Sequence, residues 1–446
     1  MSLAQSENVT DITSNLTIKT PVDLAIELNC TFTIPDVNNM KNCLLNRGKH
    51  KIDWTKPIMI VDFSYLTFSR FFAMRTWYNN AHTDVAKHLP RDYDWCKDLV
   101  FMEKYTATYL TKLLFFCKKK TVNIPRSNII YVLDCRHNDN WRVQTSKGYK
   151  GTRAESHERN DFHNFDIFAY TRKTILSAEQ ATYGSMVFFH PNLEADDMVA
   201  LLVKYLRSQC ATKYNFNSEL FIMANDRDYL QICENKTHLY DITFSPINSL
   251  VLGTMITPQD FLIKKILMGD GSDNITPCYI AKEFLTKHNI TATNRPHLKC
   301  TQDLITKMLN SATAKSELYE ILNACRALLA SIPEPEYDDT NTTANTTANT
   351  TANTMVNTTI PATSNPKPTP GGWRIDVTAV PLHWACNPVH TVINNDLPVN
   401  HIVLPTISSS VYFKDNQFLY NARVIDFENI PQRLVTEGIK LYNTVF

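Results

Sequence analysis

Several things are missing from this 446-residue chain, and each absence narrows the reading. Its eleven cysteines are scattered with no C-x-x-C pair, which speaks against a zinc knuckle or a disulfide scaffold and for reduced thiols. No uninterrupted apolar run reaches the roughly 18 residues of a membrane span. The opening stretch, MSLAQSENVTDITSN, lacks the basic-then-apolar order of a secretory signal. An intracellular, non-secreted protein without membrane contact is expected. Net charge is only +1, so contact with nucleic acid must come from a local basic patch. Glycine is scarce, at ten residues, while Asn and Thr are abundant; that composition suits an AT-rich genome and says little about mechanism.

What is present is a globular composition, 43% hydrophobic, in a chain long enough for two compact domains with tails. Residues 1–50 form a polar N-terminal extension without a readable motif. From there to 250, apolar runs ending near Asp62, Leu133, Phe189, Met223 and Ile242 alternate with helical patterns, including 65–78, 95–117, 165–179 and 194–206. Strands alternating with helices predict an α/β fold, a central mostly parallel sheet flanked by helices. Ligands of such sheets gather beyond the carboxyl ends of the strands, where Asp62, Asp134 and Asp226 fall. Residues 251–332 are expected to be helical. Tandem Asn-Thr-Thr-Ala repeats and a Pro-rich run make 333–372 a low-complexity linker. Residues 373–446 regain Trp, Ile, Val and Phe and are expected to be a small, strand-rich C-terminal segment of unassigned function.

Nine acids in five clusters dominate the first two-thirds of the chain: Asp62; Asp134; Glu194, Asp196 and Asp197; Asp226 and Asp228; Asp270 and Asp273. Gathered at the ends of core elements they would repel one another, unless divalent cations turn them into ligands. A single Asp after a strand is usually a cap or turn former; three such Asp after three strands argue for a shared site. Met198, Leu201, Leu202, Tyr205 and Leu206 recur at helical spacing, so Glu194, Asp196 and Asp197 fall in a first helical turn. Capping alone does not require three acids in four residues, and metal ligation is favoured. Asp226 and Asp228 can converge on one cation; the Gly269–Ile275 stretch is either an Asx-rich turn or a further ligand set. Between the second and third strands, Lys147, Lys150 and Arg153 recur about a helical turn apart beside Tyr149. Such cations can clamp a phosphate, and the aromatic can stack on an unpaired base. A solvated charged loop is the bland alternative.

In order, Val61–Leu66 with Arg70, Leu133–Asp134, Gly148–Arg153, Glu194–Asp197, Asp226–Asp228 and Met268–Ile275 resemble the flap endonuclease/5′–3′ exonuclease superfamily, a PIN-like nuclease fold. The resemblance covers about 55–290 and looks most like members from large cytoplasmic DNA viruses, including the poxvirus type. It implies a helical arch over roughly 140–165, then a helix–three-turn–helix DNA-binding region within 251–332. It also implies two divalent ions, Mg²⁺ or Mn²⁺. Asp62, Asp134, Glu194 and Asp196 would match the first metal cluster; Asp197, Asp226, Asp228, Asp270 and Asp273 would complete the second. Lys150 would sit at the base of the arch with Arg153 as a phosphate partner, both catalytic; Tyr149, Lys147 and Lys282 would contact substrate. One departure is that Thr276–Lys282 lacks the family's glycine-rich turn, which implies altered duplex binding.

The implied activity is a structure-dependent 5′ nuclease that hydrolyses DNA phosphodiesters in replication, repair or recombination. Its expected partners are 5′ flaps, free 5′ ends or branched junctions, with replication or recombination proteins meeting the tails, in the host cytoplasm if the protein is viral. The rival reading is a catalytically silent scaffold that binds branched DNA and recruits other factors.

Overall fold

Five short strands pair into one sheet, the three central ones being apolar and buried on both faces. In the computed structural model, which describes residues 52–146, 148–151, 164–248, 250–251, 254–291, 294–331 and 412–446, these are β1 (Ile58–Asp62), β2 (Ile129–Leu133), β3 (Met186–Phe189), β4 (Leu220–Met223) and β5 (Thr237–Tyr240). The order is β3-β2-β1-β4-β5, and every pair is parallel. Met59 faces both Ile129 and Phe221 in register, so β1 is central. Alternation along β1 sends Ile58 and Ile60 into one core and Met59 and Val61 into another. The chain turns from one side of β1 to the other between β3 and β4, which opens a crevice at the carboxyl ends of β1 and β4. Asp62 ends β1, and Asp226 follows β4 by three residues.

Helix α1 (Phe63–Ala81) begins directly at the end of β1, with Asp62 accepting a hydrogen bond from Tyr65 N at 2.9 Å. It packs with α2 (Leu99–Thr108) and α3 (Thr111–Lys119) on one face of the sheet. Short α4 (Trp141–Thr145) precedes α5 (Asp166–Tyr170), which continues through a π-helical stretch (Thr171–Leu176) into α6 (Ser177–Tyr183). Helix α7 (Ala195–Tyr205) fills the opposite face with Met198, Val199 and Leu202.

Two sequence expectations need correction. Residues 258–330 are not wholly helical: between α8 (Pro258–Met268) and α10 (Gln302–Asn310), β6 (Tyr279–Ala281) pairs antiparallel with β7 (His297–Lys299), flanking α9 (Lys282–Lys287). Three-residue strands are too short to show a period. The described part of 373–446 is helical rather than strand-rich, with α12 (Gln417–Ile425) and α13 (Gln432–Val445). Leu434, Gly438, Leu441 and Tyr442 are the buried face of α13, a helical spacing. Helices α8, α10, α11 (Ala312–Ser331) and α12 share a third core. Among the described residues no helix is long and apolar enough to cross a membrane. The expectations for 1–50, for 333–372, for 373–411, for the arch at 147 and 152–163, and for Lys147 and Arg153 lie outside the described residues.

Candidate metal centre

The acids meet around a tyrosine that carries no sequence signal. Tyr229 follows Asp228 in a short 3₁₀ turn, is fully buried, and donates from its hydroxyl to Asp62 Oδ2 at 3.1 Å. Burial, and then Asp62, Asp196, Asp226 and Asp134, push its pKa well above the usual tyrosine value. Acids from four separate stretches of chain therefore act electrostatically on one hydroxyl, and one of them, Asp62, is hydrogen-bonded to it. Asp134 lies just past β2, open to solvent along one edge yet walled by protein. Its Oδ2 accepts from Ser64 Oγ at 2.5 Å and its Oδ1 from Ala195 N at 2.8 Å, at the start of α7.

Burial raises the pKa of Asp62 to about 7, with Asp134 and Asp226 adding repulsion against the hydrogen bonds from Tyr65 and Tyr229. Burial raises Asp134 and Asp196 too. Glu194 goes the other way: against its burial, Lys150 and Arg142 hold it down at about 2. Lys150 Nζ donates to Glu194 Oε1 at 2.5 Å and lies 3.9 Å from Asp273 Oδ2. The Tyr149 hydroxyl lies 3.1 Å from Glu194 Oε2 and 3.3 Å from Asp273 Oδ2, so this dipeptide links the two acidic groups. Its backbone is set by a docked pair of turns. Lys150 N donates to Asp273 O at 3.0 Å, and Asn274 Nδ2 donates to Gly148 O at 2.9 Å. Tyr149 is only 4% exposed, with its ring in the third core.

Two trios of carboxylates each bring one oxygen apiece within 4.8 Å of one another: Glu194, Asp196 and Asp197, and Asp228, Asp270 and Asp273. That grouping suits oxygen-loving divalent cations. Asp197, however, is already engaged. It is completely buried, and Arg142 grips it bidentately (Nη2 to Oδ1 2.6 Å, Nη1 to Oδ2 2.7 Å). Trp141 Nε1 donates to Oδ2 at 2.9 Å, and Glu194 N donates to the same oxygen at 3.2 Å. With four donors on its two oxygens, Asp197 anchors Arg142 and Trp141 beneath Glu194 and Asp196. In the second trio, Lys265 bridges Asp228 and Asp270, at 2.9 Å from Asp270 Oδ2. Against its partial burial, Lys265 lowers the Asp270 pKa, helped by Ser272. Lys282 opens α9, with its backbone N–H on Pro296 O at 2.8 Å, and is not among the residues that meet the acids.

Sequence reasoning missed Arg142, Trp141, Tyr229 and Lys265. The one available signal was charge balance: nine acids with so few cations assigned to them called for a buried arginine, and Arg142 precedes Lys150 by eight residues.

Residues 57–262 match the family model of the 5′-3′ exonuclease, N-terminal resolvase-like domain. Solved structures similar to the chain include bacteriophage T5 5′-exonuclease with zinc bound, at 14% identity and TM-score 0.35, covering 62% of this chain and 93% of that one. Another is a bacteriophage T5 flap endonuclease in a pseudo-enzyme–product complex with DNA and metal ions, at 14% identity and TM-score 0.34, covering 61% and 93%. No curated protein matches the sequence.

Proposed function

We propose that this chain is a divalent-metal-dependent 5′ nuclease that hydrolyses DNA phosphodiester bonds at flaps, free 5′ ends or branched junctions. The observation that carries the reading is the convergence of acids from β1, β2, α7 and the turn after β4 on one edge of the parallel sheet, next to a second trio at 228, 270 and 273. The donor set fits hard cations: crowded carboxylates with raised pKa values are those whose charge a divalent ion relieves. Glu194 and Asp196, with Asp134 and Asp62, would hold one ion; Asp228, Asp270 and Asp273, with Asp226 nearby, would hold another. Bound there, Mg²⁺ or Mn²⁺ would lower the pKa of water and stabilise the leaving oxygen.

The chain's own residues do the rest. Lys150 holds Glu194 ionised and, sitting between the two trios, brings positive charge to where a scissile phosphate would bridge them. Tyr149 fixes one oxygen of Glu194 against Asp273. Lys265 holds Asp228 and Asp270 together, where a divalent ion would take over the same role. Its partner nucleic acid, a role in replication, repair or recombination, and action in the cytoplasm of an infected cell are part of the same proposal.

The test is cleavage of a 5′-labelled flapped duplex and its single-stranded control in Mg²⁺ and in Mn²⁺, beside Asp196→Ala. Metal-dependent cutting near the junction that is lost in the variant supports the reading. Tight DNA binding without cleavage in either metal refutes it in favour of a scaffold.

A further inference from the structure

The C-terminal helices are built into the acidic centre. Residues 332–411 separate them from the end of α11, yet α12 ends against Arg142, the residue that holds Asp197. Arg142 is 1% exposed and spends one side of its guanidinium on the acids. Besides the two bonds to Asp197, Nη1 donates to Glu194 Oε2 at 3.2 Å and lies 3.8 Å from Asp196 Oδ1. Its Nε points the other way and donates to Val424 O at 2.7 Å. The last carbonyls of a helix lack intrahelical partners and carry the negative end of its dipole, so a buried cation is well placed there. Gln231 Nε2 caps the neighbouring Ile425 O at 3.0 Å, and Asn429 Nδ2 caps Ala422 O at 2.8 Å. Asp426, just beyond, is buried and clasped by Arg326 (2.6 and 3.1 Å), which pins this helix end to α11. Beyond it, α13 lies along α7, the helix that opens with the acids: Tyr442 donates to Met198 O at 2.6 Å and Tyr205 to Asn443 Oδ1 at 2.8 Å.

A guanidinium is a rigid planar fork, so the direction of its Nε–H fixes the direction of both Nη groups. We infer that the C-terminal helical pair is part of the metal centre, acting through Arg142: Val424 O aims the guanidinium that holds Glu194 and Asp197, and so sets the cation affinity of Glu194 and Asp196. Arg142 is thus a positioning residue. This inference rests on the metal-dependent reading above, but not on DNA cleavage.

The experiment is calorimetric titration of Mn²⁺ into the full chain, with circular dichroism and melting recorded on each variant. Arg142→Lys keeps the charge but gives up the fork, and Asp426→Ala loosens the end of α12 without touching any carboxylate of the centre. Each is expected to weaken Mn²⁺ binding at least roughly tenfold, the usual cost of losing an outer partner of a metal ligand. The double variant is expected to match the weaker single variant within about twofold, because both act through one contact. If Asp426→Ala yields too little folded protein, Asp426→Asn gives the same comparison with a smaller loss. Unaltered Mn²⁺ affinity in folded Asp426 variants overturns the inference, as does additivity of the two effects. No Mn²⁺ uptake by the unmodified chain overturns it together with the metal-dependent reading. Normal Mn²⁺ behaviour without DNA cleavage would leave it standing while removing the nuclease.

Discussion

Asp62 and Glu194 share one sheet edge and have opposite proton affinities, about 7 and about 2: burial, with Asp134 and Asp226 beside it, raises Asp62, whereas Lys150 and Arg142 outweigh burial at Glu194. Asp62 therefore binds a proton in the folded state that the unfolded chain has already released above about pH 4. Stability from this group is present below the unfolded pKa and is lost as pH rises through about 7. The melting temperature of the metal-free protein is expected to fall between pH 5 and 8, and Mn²⁺ to raise it most at pH 8; scanning calorimetry with and without Mn²⁺ checks both. Lys150→Ala is expected to cut the cleavage rate by roughly 10²–10³-fold at saturating substrate, since it removes charge where the phosphate would sit. A changed KM with unchanged kcat would deny it that role. The acids were legible in sequence because they recur at element ends. Their partners were not: Arg142 reaches Asp197 across 55 positions, and a lone arginine in a five-residue helix shows no pattern. An aromatic beside cations suggests a stacking surface at Tyr149, and its burial could not be seen locally.

Among elements, the central sheet strands were legible as short apolar runs since both faces are covered, and α7 by its 3.6-residue period. The π-helical stretch inside Asp166–Tyr183 and the β6–β7 pair left no periodic trace. The turn after α8 shows how an element aims ligands. Gly269 has φ +65°, and a Cβ there would lie 2.5 Å from Ile275 O and 2.6 Å from Thr276 C. Asp270 and Ile275 exchange backbone hydrogen bonds at 2.9 and 2.7 Å, which closes the turn carrying Asp270 and Asp273. Gly269→Ala is expected to cost about 1–3 kcal/mol of stability from backbone strain. It should also weaken the second of two Mn²⁺ binding events more than the first; denaturant unfolding and titration calorimetry read the two effects.

For the whole molecule, two cores sandwich the parallel sheet and a third unites the helices that follow it, while 412–446 contributes to both the first and the third. The C-terminal ring joins this packing: Trp54 stacks on Tyr214 at 4.4 Å between centroids and meets Phe446 at 5.6 Å. Phe446→Ala is expected to lower stability by about 1–2 kcal/mol through lost aromatic contacts, measured by urea unfolding. The sheet and its acidic edge could be read from sequence as a unit. The return of the chain's last helices to that edge could not, because their contacts join residues more than 200 positions apart, as in Tyr442 with Met198. The central claim is that this edge holds divalent ions, and the most direct measurement is anomalous scattering from crystals soaked in Mn²⁺. The account predicts one peak at about 2.2 Å from oxygens of Glu194 and Asp196. A second, about 3.5–4 Å away, should be bounded by Asp228, Asp270 and Asp273, with Lys265 displaced. Lys265 still bridging Asp228 and Asp270, with no anomalous density among the nine acids, would contradict it.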